Sequence, residues 1–196
     1  MADTLEFFFD IGSPYSYLAA TQVDDLAERT GVEVSWRPFL LGGVFKLTDN
    51  EMPAAVRPKA AYMLQDLRRW AEHYDVPFVM NSAFPVNTLY IQRALLAARE
   101  HQPGSLVPFA RAAYEAVWAD DRDLSDKSVI AAVADDCGLD GEAIVEAAGE
   151  EPIKEKLESL TSEAVDRGAF GAPTFFVGDQ MFWGNDRLHF VEDALE

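Results

Sequence analysis

Leu5-Glu6-Phe7-Phe8-Phe9-Asp10-Ile11 is an almost unbroken apolar run that stops at Gly12. A short run of this kind, rich in phenylalanine, predicts a strand from Leu5 to Phe9 buried on both faces. Tyr15, Leu18, Ala19, Val23 and Leu26 then recur at helical spacing, and Gly31 ends the pattern. One amphipathic helix is therefore predicted between Pro14 and Gly31. Val32, Val34 and Trp36 next alternate with Glu33, Ser35 and Arg37, as in a half-buried strand. Strand, crossover helix and second strand make a βαβ unit of the usual ~30 residues.

The texture changes at Pro38. Leu41 to Lys46 and Thr48 to Pro53 read as loop or short turns, and a long helical region follows. Met63, Leu67, Trp70 and Tyr74 form one apolar stripe. Leu106, Phe109, Ala113 and Val117 form a second, and Ile153, Leu157, Leu160 and Ala164 a third. Leu89 to Arg99 and Ser128 to Cys137 are further helices, and Trp70 and Trp118 are expected in the core. The last third returns to strands. Thr174 to Val177 and Gln180 to Trp183 flank Gly178-Asp179, the glycine-first pattern of a two-residue hairpin. Asp186 can then cap a short helix carrying Leu188, Val191 and Leu195. The order βαβ, helices, ββα predicts one mixed sheet interrupted by a helical insertion, with residues 1–50 and 168–196 forming the sheet domain and 51–167 the insertion.

Composition narrows the function. The 196 residues carry a net charge of −18, which disfavours nucleic acid or an anionic membrane as partner. No apolar stretch approaches a membrane span, and the polar Met1-Ala2-Asp3-Thr4 is not a signal-peptide pattern, so a cytoplasmic location is expected. The single cysteine, Cys137, falls in step with Ile130 and Val133 and reads as buried filler. His73, His101 and His189 are scattered, so no metal site is expected.

Chemistry concentrates at Gly12-Ser13-Pro14. Ser13 is a good N-cap, and Pro14 suits the first helical position because its missing N–H would have no partner there. A hydroxyl at a helix N-terminus attracts anions, thiolates included. By itself the segment reads more readily as an ordinary cap.

The element order resembles the thioredoxin fold in its DsbA-like branch, whose redox Cys-x-x-Cys begins the first helix. Those positions here read Ser13-Pro14-Tyr15-Ser16, and Gly171-Ala172-Pro173-Thr174 resembles the fold's cis-proline loop. Together with Phe170 to Val177, Phe182 to Leu188, Leu41 to Lys46 and Arg57-Pro58-Lys59, these segments are similar to the 2-hydroxychromene-2-carboxylate isomerases, glutathione-dependent relatives of the kappa-class glutathione transferases. The resemblance implies that Ser13 contacts the glutathione sulfur and that Ala172, before Pro173, pairs its backbone with the cysteinyl unit. It implies that Asn185 and Asp186 hold the γ-glutamyl end, that Asn50 and Lys59 lie near glutathione or substrate, and that the chain is a homodimer acting on a small aromatic substrate. On their own context, Lys59 is a solvated lysine, Asn50 a turn residue and Asp186 a helix cap. Phe84-Pro85-Val86-Asn87 is less polar than its counterpart in family members of naphthalene breakdown, so the electrophile stays open.

Ser13 as a covalent nucleophile would need a base, and the sequence has neither a GxSxG elbow nor an evident His–Asp pair. Four activities are compatible with the fold: a glutathione-dependent isomerase, a kappa-type transferase or peroxidase, a thiol–disulfide oxidoreductase and a non-catalytic glutathione-binding module. The third requires a thiolate that Ser13 and Ser16 do not provide.

Overall fold

In the computed structural model, residues 4–196 are described; Met1–Asp3, part of the polar start, lie outside them. Strands β1 (Thr4–Phe9), β2 (Glu33–Pro38), β3 (Thr174–Val177) and β4 (Gln180–Trp183) form one sheet in the order β2-β1-β3-β4. β1 runs parallel to β2 and antiparallel to β3, which pairs antiparallel with β4 through the expected Gly178-Asp179 turn. Gly178 has φ +56°, a conformation that glycine adopts without a Cβ penalty.

Both faces of β1 are buried, and its phenylalanines divide between them. Phe7 and Phe9 face the larger core, where Phe7 stacks on Phe175 at 5.0 Å and Phe7 and Phe9 each meet Trp36 edge-on. Phe8 points the other way, into a smaller cluster with Phe39, Val44, Ala164 and Phe176. Such pairs are worth about 0.5–1.5 kcal/mol beyond their buried area, so the aromatic run fixes β1 centrally.

The predicted helix after Pro14 is two helices, α1 (Pro14–Ala20) and α2 (Val23–Thr30). The Thr21 hydroxyl donates to the Leu18 carbonyl at 2.7 Å and the chain turns before Val23, keeping Leu18, Val23 and Leu26 all buried. A second departure matters more to the site. Leu41–Thr48, expected as loop, is helix α3. Gly42 and Gly43 argue against a helix by propensity, but tertiary contacts supply what propensity lacks. The Asp10 carboxylate accepts the Leu41 N–H at 2.7 Å, the Thr161 hydroxyl accepts the Leu40 N–H at 3.0 Å, and Val44 is wholly buried against the smaller cluster.

The insertion consists of α4 (Arg57–Tyr74), α5 (Leu89–His101), α6 (Leu106–Trp118), α7 (Lys127–Asp136), α8 (Gly141–Ala147) and α9 (Glu151–Asp166), and α10 (Leu188–Leu195) closes the chain. The three apolar stripes lie on α4, α6 and α9. α8 had no counterpart in the sequence pattern. Trp118 is fully buried with its indole N–H on the Ile11 carbonyl at 2.8 Å. Gln92, also fully buried, donates to the carbonyls of Phe9 and Phe39 at 2.8 and 2.7 Å, tying the ends of β1 and β2 to the insertion. Cys137 is half-buried at the end of α7 rather than in the core, because the helix stops there. No helix among the described residues is long and apolar enough to cross a membrane.

Candidate active site

β1 ends at a turn organised by Asp10. One carboxylate oxygen accepts the Gly12 N–H at 2.8 Å, the other accepts the Leu41 N–H, and the Asp10 carbonyl accepts the Ser13 N–H at 3.0 Å. Burial pushes the Asp10 carboxyl above its ordinary value, and the two backbone N–H groups and the Thr88 side chain partly offset this. The turn leaves Ser13 extended (φ −93°, ψ 112°), as an N-cap requires, and its Oγ accepts the Ser16 N–H at 3.1 Å. The Ser13 hydroxyl donates its own proton to the Ala172 carbonyl at 3.1 Å. The cap is thus also the contact between α1 and the Gly171–Pro173 loop. The Ala172–Pro173 peptide is cis.

Ser13 opens on a cavity of about 950 Å³. Asn50, Lys59, Ala172, Asn185 and Asp186 line it too, so segments spread over the whole chain meet at one place; Pro173 lies behind them, its carbonyl accepting the Gly184 N–H at 3.1 Å. Asn50 donates to the Phe170 carbonyl at 2.9 Å and accepts the Glu51 N–H, bridging the end of α3 to the proline loop. Asn185 is buried, its carbonyl accepting the Tyr74 hydroxyl at 3.2 Å. Lys59 is exposed at the rim. Asp186 does not cap α10: a short 3-10 turn, Asn185–Arg187, precedes that helix, and the Asp186 carboxylate pairs with Arg187.

Two glycines leave no room for a side chain here. A Cβ at Gly171 would stand 2.5 Å from Trp183 Nε1, and one at Gly184 would stand 2.5 Å from Asp186 Oδ1. Gly184 also has φ +108°, which an L side chain rarely tolerates. Both positions line the cavity, and each glycine is required by a side chain of the chain itself, Trp183 against Gly171 and Asp186 against Gly184.

The opposite wall is helical. Leu41 and Phe45 come from α3, Met52, Pro53 and Val56 from the connection, and Lys59, Tyr62, Met63, Asp66 and Trp70 from α4. Of these, Trp70 was expected in the core but faces the cavity. Tyr15, in the first turn of α1, donates to Asp66 Oδ2 at 3.0 Å, and Tyr62 approaches Oδ1 at 3.5 Å. Burial and the Asp66 carboxylate push the Tyr15 phenol far above its usual range, so it remains a donor. The sequence reading missed Tyr15, Asp66, Tyr74 and Arg187. For Asp66 a signal existed, since Lys59, Tyr62, Asp66 and Trp70 follow each other at intervals of three or four residues, one face of a helix.

The sheet order, the hydroxyl at the start of α1 and the proline loop facing it define a DSBA-like thioredoxin domain, and the family model of that description matches residues 4–196. The chain is 37% identical to 2-hydroxychromene-2-carboxylate isomerase of Sphingobium xenophagum, covering 100% of this chain and 99% of that protein. It is 28% identical to glutathione S-transferase kappa 1 of Homo sapiens, covering 98% and 90%. A solved structure of 2-hydroxychromene-2-carboxylate isomerase matches with a TM-score of 0.85 at 28% identity, covering 98% of this chain and 94% of that one. Within the DSBA-like thioredoxin proteins, the chain belongs to the 2-hydroxychromene-2-carboxylate isomerase family.

Proposed function

We propose that this protein is a glutathione-dependent isomerase interconverting 2-hydroxychromene-2-carboxylate and trans-o-hydroxybenzylidenepyruvate. The observation that carries this reading is the Ser13 hydroxyl, held against the Ala172 carbonyl on the cavity wall, in a Cys-x-x-Cys position that has no cysteine. The residues fit a peptide thiol. The Ala172 carbonyl has a second lone pair for a ligand N–H, and Gly171, Gly184, Asn185 and Asp186 line the same cavity.

Bound glutathione supplies a sulfur nucleophile whose reversible addition to the conjugated substrate turns a double bond into one that can rotate. Ser13 favours the anionic sulfur. A thiol has a pKa near ~8.5, and lowering it by about two units takes roughly 2.7 kcal/mol. A hydroxyl bonded to a charged partner contributes about 1.5–3 kcal/mol, and a helix N-terminus about 0.3–2 kcal/mol. With only seven residues in α1, the hydroxyl is the larger contributor. With a ligand N–H on the second lone pair of the Ala172 carbonyl, the Ser13 hydroxyl can rotate its proton from that carbonyl to the sulfur. Asn185 and Asp186 anchor the γ-glutamyl end, Asn50 steadies the proline loop, and Lys59 receives a carboxylate at the rim.

The test is direct. Purified protein with glutathione should bring either isomer to the same equilibrium mixture, and without glutathione it should not. A second reading, a kappa-type transferase, is favoured by the apolar helical wall formed by Phe45, Met52, Val56 and Met63, which selects no particular electrophile. Conjugation of a chlorinated nitroaromatic that outpaces isomerisation would establish it instead.

A further inference from the structure

Arg167 stands at the joint between α9 and the proline loop. Its guanidinium reaches Glu6 of β1 at 2.8 Å and Glu163 of α9 at 3.6 Å, and Arg37 of β2 reaches the same two carboxylates at 3.1 and 2.5 Å. The four side chains close a ring of alternating charge. Glu6 and Arg37 are 21% and 22% exposed, so the ring is screened by water less than a surface pair. Arg37 by itself already joins β1, β2 and α9. What Arg167 adds is a hold on the loop. Its guanidinium also donates to the Gly178 carbonyl at 3.2 Å and lies 3.8 Å over the Phe176 ring. Arg167 and Gly178 bracket the proline loop and β3, so these contacts close that segment on itself.

The loop leaves α9 without slack. The N–H groups of Gly168 and Ala169 bond back to the carbonyls of Val165 and Ala164 at 2.8 and 2.9 Å. From there each carbonyl has its own donor: Asn50 for Phe170, the Thr174 hydroxyl for Gly171 at 2.8 Å, Ser13 for Ala172 and the Gly184 N–H for Pro173. A segment held at every carbonyl passes on a displacement of its start rather than absorbing it. The Ala172 carbonyl, inside this clamp, is the acceptor shared by Ser13 and the ligand, and a misplacement of about 1 Å there can cost up to about a hundredfold in rate.

We propose that Arg167 is a positioning residue for the thiol chemistry: by pinning the start of the proline loop to β1 and to the β3–β4 turn, it sets where the Ala172 carbonyl stands opposite Ser13. The assignment rests on the glutathione reading above and adds to it a residue that does not line the cavity.

The experiment is the ultraviolet titration of glutathione bound to the intact protein, with Tm measured alongside. In Arg167→Met, which keeps an apolar stem on Phe176, the ionisation constant of the bound thiol should fall about three- to tenfold, part of what the Ser13 hydroxyl contributes. Arg167→Lys keeps the charge but loses the fork that meets Glu6 and the Gly178 carbonyl together, and it should behave as Arg167→Met does. Arg37→Met opens the same ring away from the loop. Its Tm should drop while its titration stays within about twofold of wild type. Arg167→Lys titrating as wild type would reduce the effect to the field of a cation, and Arg37→Met matching Arg167→Met would reduce it to a general loss of stability; either result overturns the assignment. If near-ultraviolet circular dichroism shows Arg167→Met unfolded, the lysine variant decides alone. Wild-type protein that gives no thiolate absorbance with glutathione overturns the glutathione reading itself, a different result from the same titration.

Discussion

The two walls of the cavity are built on different principles. The sheet side consists of turns, Gly12–Ser13, Gly171–Pro173 and Gly184–Arg187, each fixed by a backbone hydrogen bond or by a glycine that admits no side chain. The α3–α4 side consists of helices whose cavity-facing side chains are mostly apolar and partly exposed, with Val56 and Tyr62 at 43% and 61%. On the function proposed above, the sheet side holds the peptide thiol through the Ser13 hydroxyl and the Ala172 backbone. An apolar wall accommodates many shapes, and a lost methylene there costs only about 1 kcal/mol. On the same reading the thiol is set by hydrogen-bond geometry and the electrophile by fit.

The largest effect should come from Ser13→Ala. It removes the hydroxyl from the sulfur and also the cap of α1, and turnover with glutathione should fall about tenfold to a hundredfold or more, measured as kcat/KM. Gly184→Ala probes the same wall without touching the sulfur. A methyl group there meets Asp186 and forces an unfavourable φ, a strain of about 1–3 kcal/mol, so glutathione affinity should drop about tenfold while kcat at saturation stays near wild type. An unchanged affinity would break the contrast between the walls.

Asp10→Asn acts where the walls join. The amide retains an acceptor for the Gly12 N–H but turns a donor toward the Leu41 N–H, costing about 1–3 kcal/mol of stability. Burial raises the folded-state pKa of Asp10 above its ordinary 3.8, so between those two values the folded protein holds more protons than the unfolded one. The contribution of Asp10 to stability is therefore greatest at low pH and falls as pH rises through that window. The gap in Tm between wild type and Asp10→Asn should be widest near the low end and narrow upward; a gap that widens with pH would show that Asp10 is not the raised carboxyl described here. The smallest effect is expected from Val56→Ala, which should change KM for the electrophile by a few fold and leave glutathione affinity unaltered.

Legibility in the sequence follows the same division. The sheet side was readable because turns carry residue-specific chemistry: Ser-Pro at the start of a helix, Gly-Asp between two short strands, Ala-Pro-Thr before the hairpin. The α3–α4 side was not. α3 forms against the propensity of Gly42 and Gly43, because Asp10 accepts the Leu41 N–H at its start and the Phe8–Phe176 cluster takes Val44, and neither contact leaves a local trace. Asp66 reads as one more charge on a polar helix face until Tyr15, fifty-one residues earlier, is seen to reach it. Asp186 looked like a helix cap because nothing in Asn185-Asp186-Arg187 announces the 3-10 turn that sets it back from α10.

The central claim is that Ser13 holds the glutathione sulfur as a thiolate, and the ultraviolet absorbance of that thiolate, titrated with pH on the bound complex, tests it most directly. Wild-type protein should titrate about two units below free glutathione, and Ser13→Ala should recover most of that difference, corresponding to the roughly 1.5–3 kcal/mol assigned to the hydroxyl. Identical titration curves for the two proteins would contradict it.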